Sequence, residues 1–258
     1  MNPETASLEF AGFLLVGMLV LQEVGRRLGA GRLARDPEGA RTGVSAVEGA
    51  LFGLLGLLIA FTFSGAASRF DARRKLINEE ANAIGTAWLR LDLLPPEAQP
   101  ELRQLFGRYL DSRLETYKKL PDIPAAEAEL ARSIEIQGEI WKKAVAAVRS
   151  ASPGPSGMVI FPALNQMFDI VTTRTMAART HPPSIIYMML AALALAAALL
   201  AGYGMAGGKT RSWVHIVGFA AVLSLTVYVI LDLEYPRFGL IRVDAADRVL
   251  VDLRKAME

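Results

Sequence analysis

"LLIAFTFSGAASRFDARRKLINEE" runs from Leu57 to Glu80. Its first half is as apolar as a lipid tail. A collar of Gly, Ala and Ser follows, and then a half rich in Arg, Lys and Glu. No proline interrupts it, so the spacing predicts one continuous helix that leaves an apolar medium and enters water. Working outward, the apolar half belongs to a block spanning Val44–Phe63. About 20 apolar residues suffice to cross the roughly 30 Å hydrocarbon core as a helix. Three more blocks qualify: Ala6–Val24, Ile185–Met205 and Val214–Leu231.

The composition agrees. The chain has 258 residues, of which 52% are hydrophobic and 21% charged, and the two kinds are segregated into blocks. Strand signals are weak, so the expected fold class is all-α: an integral membrane protein with four transmembrane helices and a helical soluble domain between the second and third. The expected boundaries are 1–66, 67–182, 183–231 and a tail, 232–258. Met1–Glu9 has no Lys or Arg, so the first block reads as a retained helix rather than a secretory signal.

Arg26–Gly43 reads as a short loop. Glu97–Leu120 and Pro124–Ser150 read as helices, the latter offering Ile134, Ile136, Ile140, Trp141, Val145 and Val148 for burial. "SASPGPSG", Ser150–Gly157, is a break. Met158–Thr180 reads as a helix bent near Pro162. Orientation signals conflict. Five arginines in Arg26–Gly43 place that loop inside, whereas Arg69, Arg73, Arg74, Lys75 and five Lys/Arg after the fourth block place the soluble domain and tail inside.

Chemistry of the catalytic kind is sparse. There is no cysteine, and the two histidines, His181 and His215, lie beside membrane blocks. No nucleophile elbow, zinc signature, P-loop or dinucleotide fingerprint is present. The chain is therefore not expected to be an enzyme, to bind a metal or cofactor, or, at a net charge of +2, to bind nucleic acid. Asn165 and Asp169, with Arg174 and Arg179 beyond, form either a polar interaction site or a solvated or subunit-facing helix surface. Glu9, Glu23 and Glu48 lie in or beside apolar blocks, where a carboxylate faces protein, headgroups or a water path.

Within the second block, Gly49, Gly53 and Gly56 permit close helix approach. Leu54, Leu57 and Phe61, three and four apart, share one face. Two readings stay open: packing inside one subunit, or several copies around an axis, with stacked apolar rings that gate ions by dewetting.

Two segments resemble bestrophins. "FTFSGAASRFDARRKL", Phe61–Leu76, is similar to the end of their pore-lining helix. Phe61, Ala66, Arg69 and Arg74 match, while Phe70 and Asp71 stand where two tryptophans would be. "DLEYPRFG", with Asp232, Glu234, Pro236, Phe238 and Gly239, resembles the acidic Pro-Phe-Gly exit of their last membrane helix, with Arg237 inserted. "NEEANAIGTAWLRLDLLP" resembles an uncharacterised bacterial bestrophin-like family. The resemblance implies a homopentameric ion channel in the bacterial inner membrane, whose partners are its own copies, the lipid bilayer and permeant small ions. Its neck would be formed by Gly53, Leu54, Leu57 and Phe61, and its helical domain and both termini would be cytoplasmic. Arg69, Arg74, Asp232 and Glu234 would anchor the domain. Leu240, Ile241 and Arg242 follow the turn where animal members carry a calcium-binding acidic cluster, so calcium gating is not expected. The alternative is a non-conducting membrane scaffold or signalling protein whose helical domain binds a protein partner.

Overall fold

The computed structural model describes residues 5–36, 44–151, 155–208 and 212–258. The helices are α1 (Ala6–Arg35), α2 (Val44–Arg90), α3 (Gln99–Lys118), α4 (Ile123–Ser150), α5 (Ser156–Arg179), α6 (Ser184–Gly204), α7 (Trp213–Glu234) and α8 (Arg248–Ala256). Among the described residues there is no strand, as the patterning predicts. The chain divides into two compact units, one of Met1–Ser68 and His181–Tyr235, the other of Arg69–Thr180 and Pro236–Glu258.

The first unit contains the apolar stretches of α1, α6, α7 and the first half of α2, all long and apolar enough to cross a membrane. At 1.5 Å per residue, α6 and α7 are each about 30 Å long, the thickness of a hydrocarbon core. α1 packs on α6 through small residues. A Cβ added at Gly25 would lie 1.9 Å from the Leu199 carbonyl oxygen, one at Gly29 2.6 Å from that of Tyr203, and one at Gly202 2.0 Å from that of Gln22. No side chain fits at these points. The backbones touch because water-driven burial is absent in lipid and close van der Waals packing must replace it. Met18 of α1 and Leu190, Ala194, Ala197 and Ala198 of α6 are buried along the same seam.

α1 corrects one expectation. The segment from Arg26 to Arg35 is helix, not loop. Glu23 sets two rungs that favour helix, to Arg26 at 2.9 Å and to Arg27 at 2.7 Å. The remaining part of that expected loop, residues 37–43, and the loop positions 152–154 and 209–211 lie outside the described residues.

The second unit is a helical core made by the second half of α2 with α3, α4, α5 and α8. Ile77, Ile84, Leu91, Phe106, Tyr109, Ile140, Leu164, Met167 and Leu250 are buried in it. Asp122 caps α4, accepting from the Ala125 N–H at 3.0 Å. Pro162 sits inside α5 as expected. The buried stripe of α4 is Ala126, Glu129, Ser133, Ile136, Ile140, Ala144 and Ala147. Ile134 is therefore exposed and Trp141 lies at the surface against Phe161, ring centres 5.1 Å apart, instead of in the core. Small residues set this face, and counting only large apolar residues puts the stripe about one position off.

Candidate functional site

α2 is helical for 47 residues without a break. Its apolar half is the least covered of the four membrane stretches: 11% of it is buried by the rest of the chain, against 28% for each of the others. What is covered lies on one side. Leu55 is buried, and Phe52 meets Phe219 of α7 edge-on with ring centres 5.7 Å apart. At about 100° per residue, Gly53, Leu57, Phe61 and Leu54 fall within roughly a 100° arc on the other side. Leu54 and Leu57 are each 52% exposed and Phe61 is 67% exposed.

Beside that arc runs a strip of small residues, Gly49, Gly56 and Ala60. A Cβ added at Gly49, Gly53 or Gly56 would meet nothing within 4 Å. These glycines are not used to pack the chain on itself, in contrast to Gly25, Gly29 and Gly202. Ser64 and Ser68 continue the exposed face into the small-residue collar.

The charged half of α2 leads into a buried ionic cluster that sequence reasoning did not find. Glu80 is fully buried. Its carboxylate accepts from Arg113 Nε at 2.6 Å and from Arg174. Arg113 also donates to the Tyr117 hydroxyl at 2.6 Å. The Tyr117 ring is flanked by three guanidinium groups, those of Arg174 at 4.2 Å, Arg237 at 4.8 Å and Arg113 at 5.2 Å. Arg237 donates to Asp247 at 3.0 Å and to Asp244 at 2.9 Å. The extra residue in the Pro-Arg-Phe-Gly turn thus joins the C-terminal segment to the cluster. Burial alone would raise the Glu80 carboxyl, but the fields of Arg113 and Arg174 outweigh it and hold the group below its ordinary range. Arg174, expected on a polar or solvated helix face, is buried here, while Asn165 and Asp169 remain exposed.

The residues singled out as anchors are placed as follows. Arg74 is on the exposed side of α2, 3.7 Å from Asp71. Its neighbour Arg73 makes the contacts expected of it, donating to the carbonyls of Ala177 at 3.1 Å and Thr180 at 3.0 Å. Arg69 is half-buried. Asp232 and Glu234 are buried at the end of α7. Asp232 accepts from the Tyr228 hydroxyl at 3.2 Å, and Glu234 lies 3.6 Å from His181 Nδ1, whose ring stacks on Tyr235 at 4.5 Å. Glu48 of α2 lies close to Gly204, with one carboxylate oxygen buried and without a hydrogen-bond partner. Among the described residues no group of His, Cys, Asp and Glu could hold a metal ion.

These features define an all-helical membrane protein of the bestrophin fold. The chain belongs to the bestrophin-like family, whose domain matches residues 12–247. The fold is similar to that of a bacterial bestrophin homologue from Klebsiella pneumoniae, solved in several mutant forms. Two of these are 15% and 16% identical to it, with TM-scores of 0.63 and 0.64, each alignment covering 93% of this chain and 98% of the other. A third gives 0.59 at 16% identity over the same coverage. No curated protein matches the chain.

Proposed function

We propose that the protein is a homopentameric ion channel with an apolar neck formed by Gly53, Leu54, Leu57 and Phe61, seated in the bacterial inner membrane with its helical domain in the cytoplasm. The carrying observation is the uncovered face of α2, apolar side chains on one arc and open glycines on the next, in a chain of the bestrophin-like family. A ring of copies uses both arcs. Gly49, Gly56 and Ala60 let neighbouring α2 helices approach, and the Leu54, Leu57 and Phe61 arc turns to the axis. Stacked rings of these side chains make a constriction that resists wetting and so controls ion entry. Gly53, without a side chain, leaves one end of the neck wider.

Phe61→Ala widens the narrowest ring and is expected to raise single-channel conductance in a planar bilayer several-fold. Absence of current from both the wild type and the variant would sink the channel reading. The scaffold reading uses the same small-residue packing without a pore. A count of subunits separates them: a particle mass of five chains supports the ring, whereas a dimer or monomer supports the scaffold.

A further inference from the structure

Along α1 between Leu19 and Arg27, beside the end of α6 and the start of α7, lies a groove of about 640 Å³. Its wall is apolar, with Val20, Val24, Ile216 and Val217, and Val20, Val24 and Val217 are exposed. Its floor is rigid, because the α1–α6 crossing at Gly202 and Gln22 leaves no room even for a methyl group. Gln22 is buried there, and its Nε2 donates to the Ile216 carbonyl at 3.3 Å, tying α1 to α7.

The rim is charged. Glu23 takes two bonds from Arg26, at 3.0 and 2.9 Å, and one from Arg27 Nε at 2.7 Å. Among the described residues, two guanidinium groups stand against this one carboxylate. The Arg27 side chain is 75% exposed, and its other N–H donors have no partner among the described residues. Trp213, 57% exposed, stands on the same rim at the first turn of α7. A Trp and arginines at the end of membrane helices mark headgroup depth.

From this juxtaposition we infer that the groove is a binding site for a phospholipid with one net negative charge, of the phosphatidylglycerol class. The phosphate lies on Arg27 and Arg26, which Glu23 holds in place, and an acyl chain follows the Val20, Val24 and Val217 wall. A zwitterionic headgroup brings an ammonium that the arginines repel. A soluble phosphate gains nothing from the apolar wall. The site is separate from the α2 face and does not depend on conduction.

The test uses the full-length protein purified in neutral detergent, with native mass spectrometry of bound lipid and a thermal melt. The probes are phosphatidylglycerol, phosphatidylethanolamine and inorganic phosphate. Wild-type protein is expected to favour phosphatidylglycerol by at least the roughly fivefold that one basic residue at a bilayer surface confers, with phosphate not competing. The double variant Arg26→Gln, Arg27→Gln, which leaves the Glu23 carboxylate uncompensated, should abolish the preference for phosphatidylglycerol or reverse it. Val217→Trp, which fills the groove and leaves the arginines intact, should weaken both. Parity in the wild type, a preference that survives the double variant, or displacement by inorganic phosphate overturns the site. So does a photo-crosslinker at Val20 that captures a second copy of the chain instead of lipid.

Discussion

Glu80 shows how much one residue decides in the helical domain. A carboxylate without water is stable only because two guanidinium groups reach it, and each of those needs the carboxylate in return. Glu80→Gln leaves Arg113 and Arg174 buried with less compensation. It is expected to destabilise the domain by about 3–5 kcal/mol, seen as a lower melting temperature by helical circular dichroism. The pH dependence follows from the direction of the shift. Glu80 is held below its ordinary value of 4.5, so the unfolded chain takes up its proton first as pH falls. The stabilisation is complete above about pH 4.5 and is lost as pH drops further, through the folded-state value. Glu129 contributes with the same sign, its carboxyl lowered first by the Lys119 hydrogen bond at 2.7 Å. A Glu80→Gln protein should therefore show a flatter acid limb. An unchanged acid limb would mean other carboxylates govern acid unfolding.

At the scale of elements, glycine has two opposite uses here. Gly25, Gly29 and Gly202 are points of backbone contact, whereas Gly49, Gly53 and Gly56 face open space. Gly202→Val should unseat α1 from α6 and prevent recovery of folded protein from membranes. Gly49→Leu should leave the single chain folded, because nothing in it lies within 4 Å of the new Cβ. In the proposed ring it should block helix approach and shift the particle to smaller assemblies in size-exclusion chromatography with light scattering. Equal behaviour of the two variants would contradict this division. All six glycines look alike in a hydropathy plot. The Gly25–Gly29 pair is also at small-xxx-small spacing, yet its arginine-rich surroundings read as a loop. Its helicity comes from the Glu23 rungs and the α6 seam, and only the fold shows the seam.

At the scale of the whole chain, the four apolar blocks, the all-helical class and the family were legible beforehand. Lipid permits a backbone to cross only with its hydrogen bonds satisfied internally, so 20 apolar residues specify a helix with little ambiguity. "FTFSGAASRFDARRKL" and "DLEYPRFG" were enough to point to the family because each combines an apolar end with a specific polar exit. The anchoring pattern was less legible. Arg73 and Arg74 are adjacent and chemically identical, and a rotation of 100° along α2 decides which one reaches the Ala177 and Thr180 carbonyls. The ionic cluster was not legible at all. Glu80, Arg113, Arg174, Arg237 and Asp247 are scattered along the chain among many similar charges, and no spacing relates them.

The sequence by itself determined the medium of each segment, since transfer free energy is a local property of 20 residues at a time. It also determined that Leu54, Leu57 and Phe61 share a face, since helical periodicity is local too. Only the tertiary structure decided which face of α2 stays uncovered, which glycines touch backbone and which face space, and which charges are buried together. Those depend on what lies opposite, and long-range packing places it there.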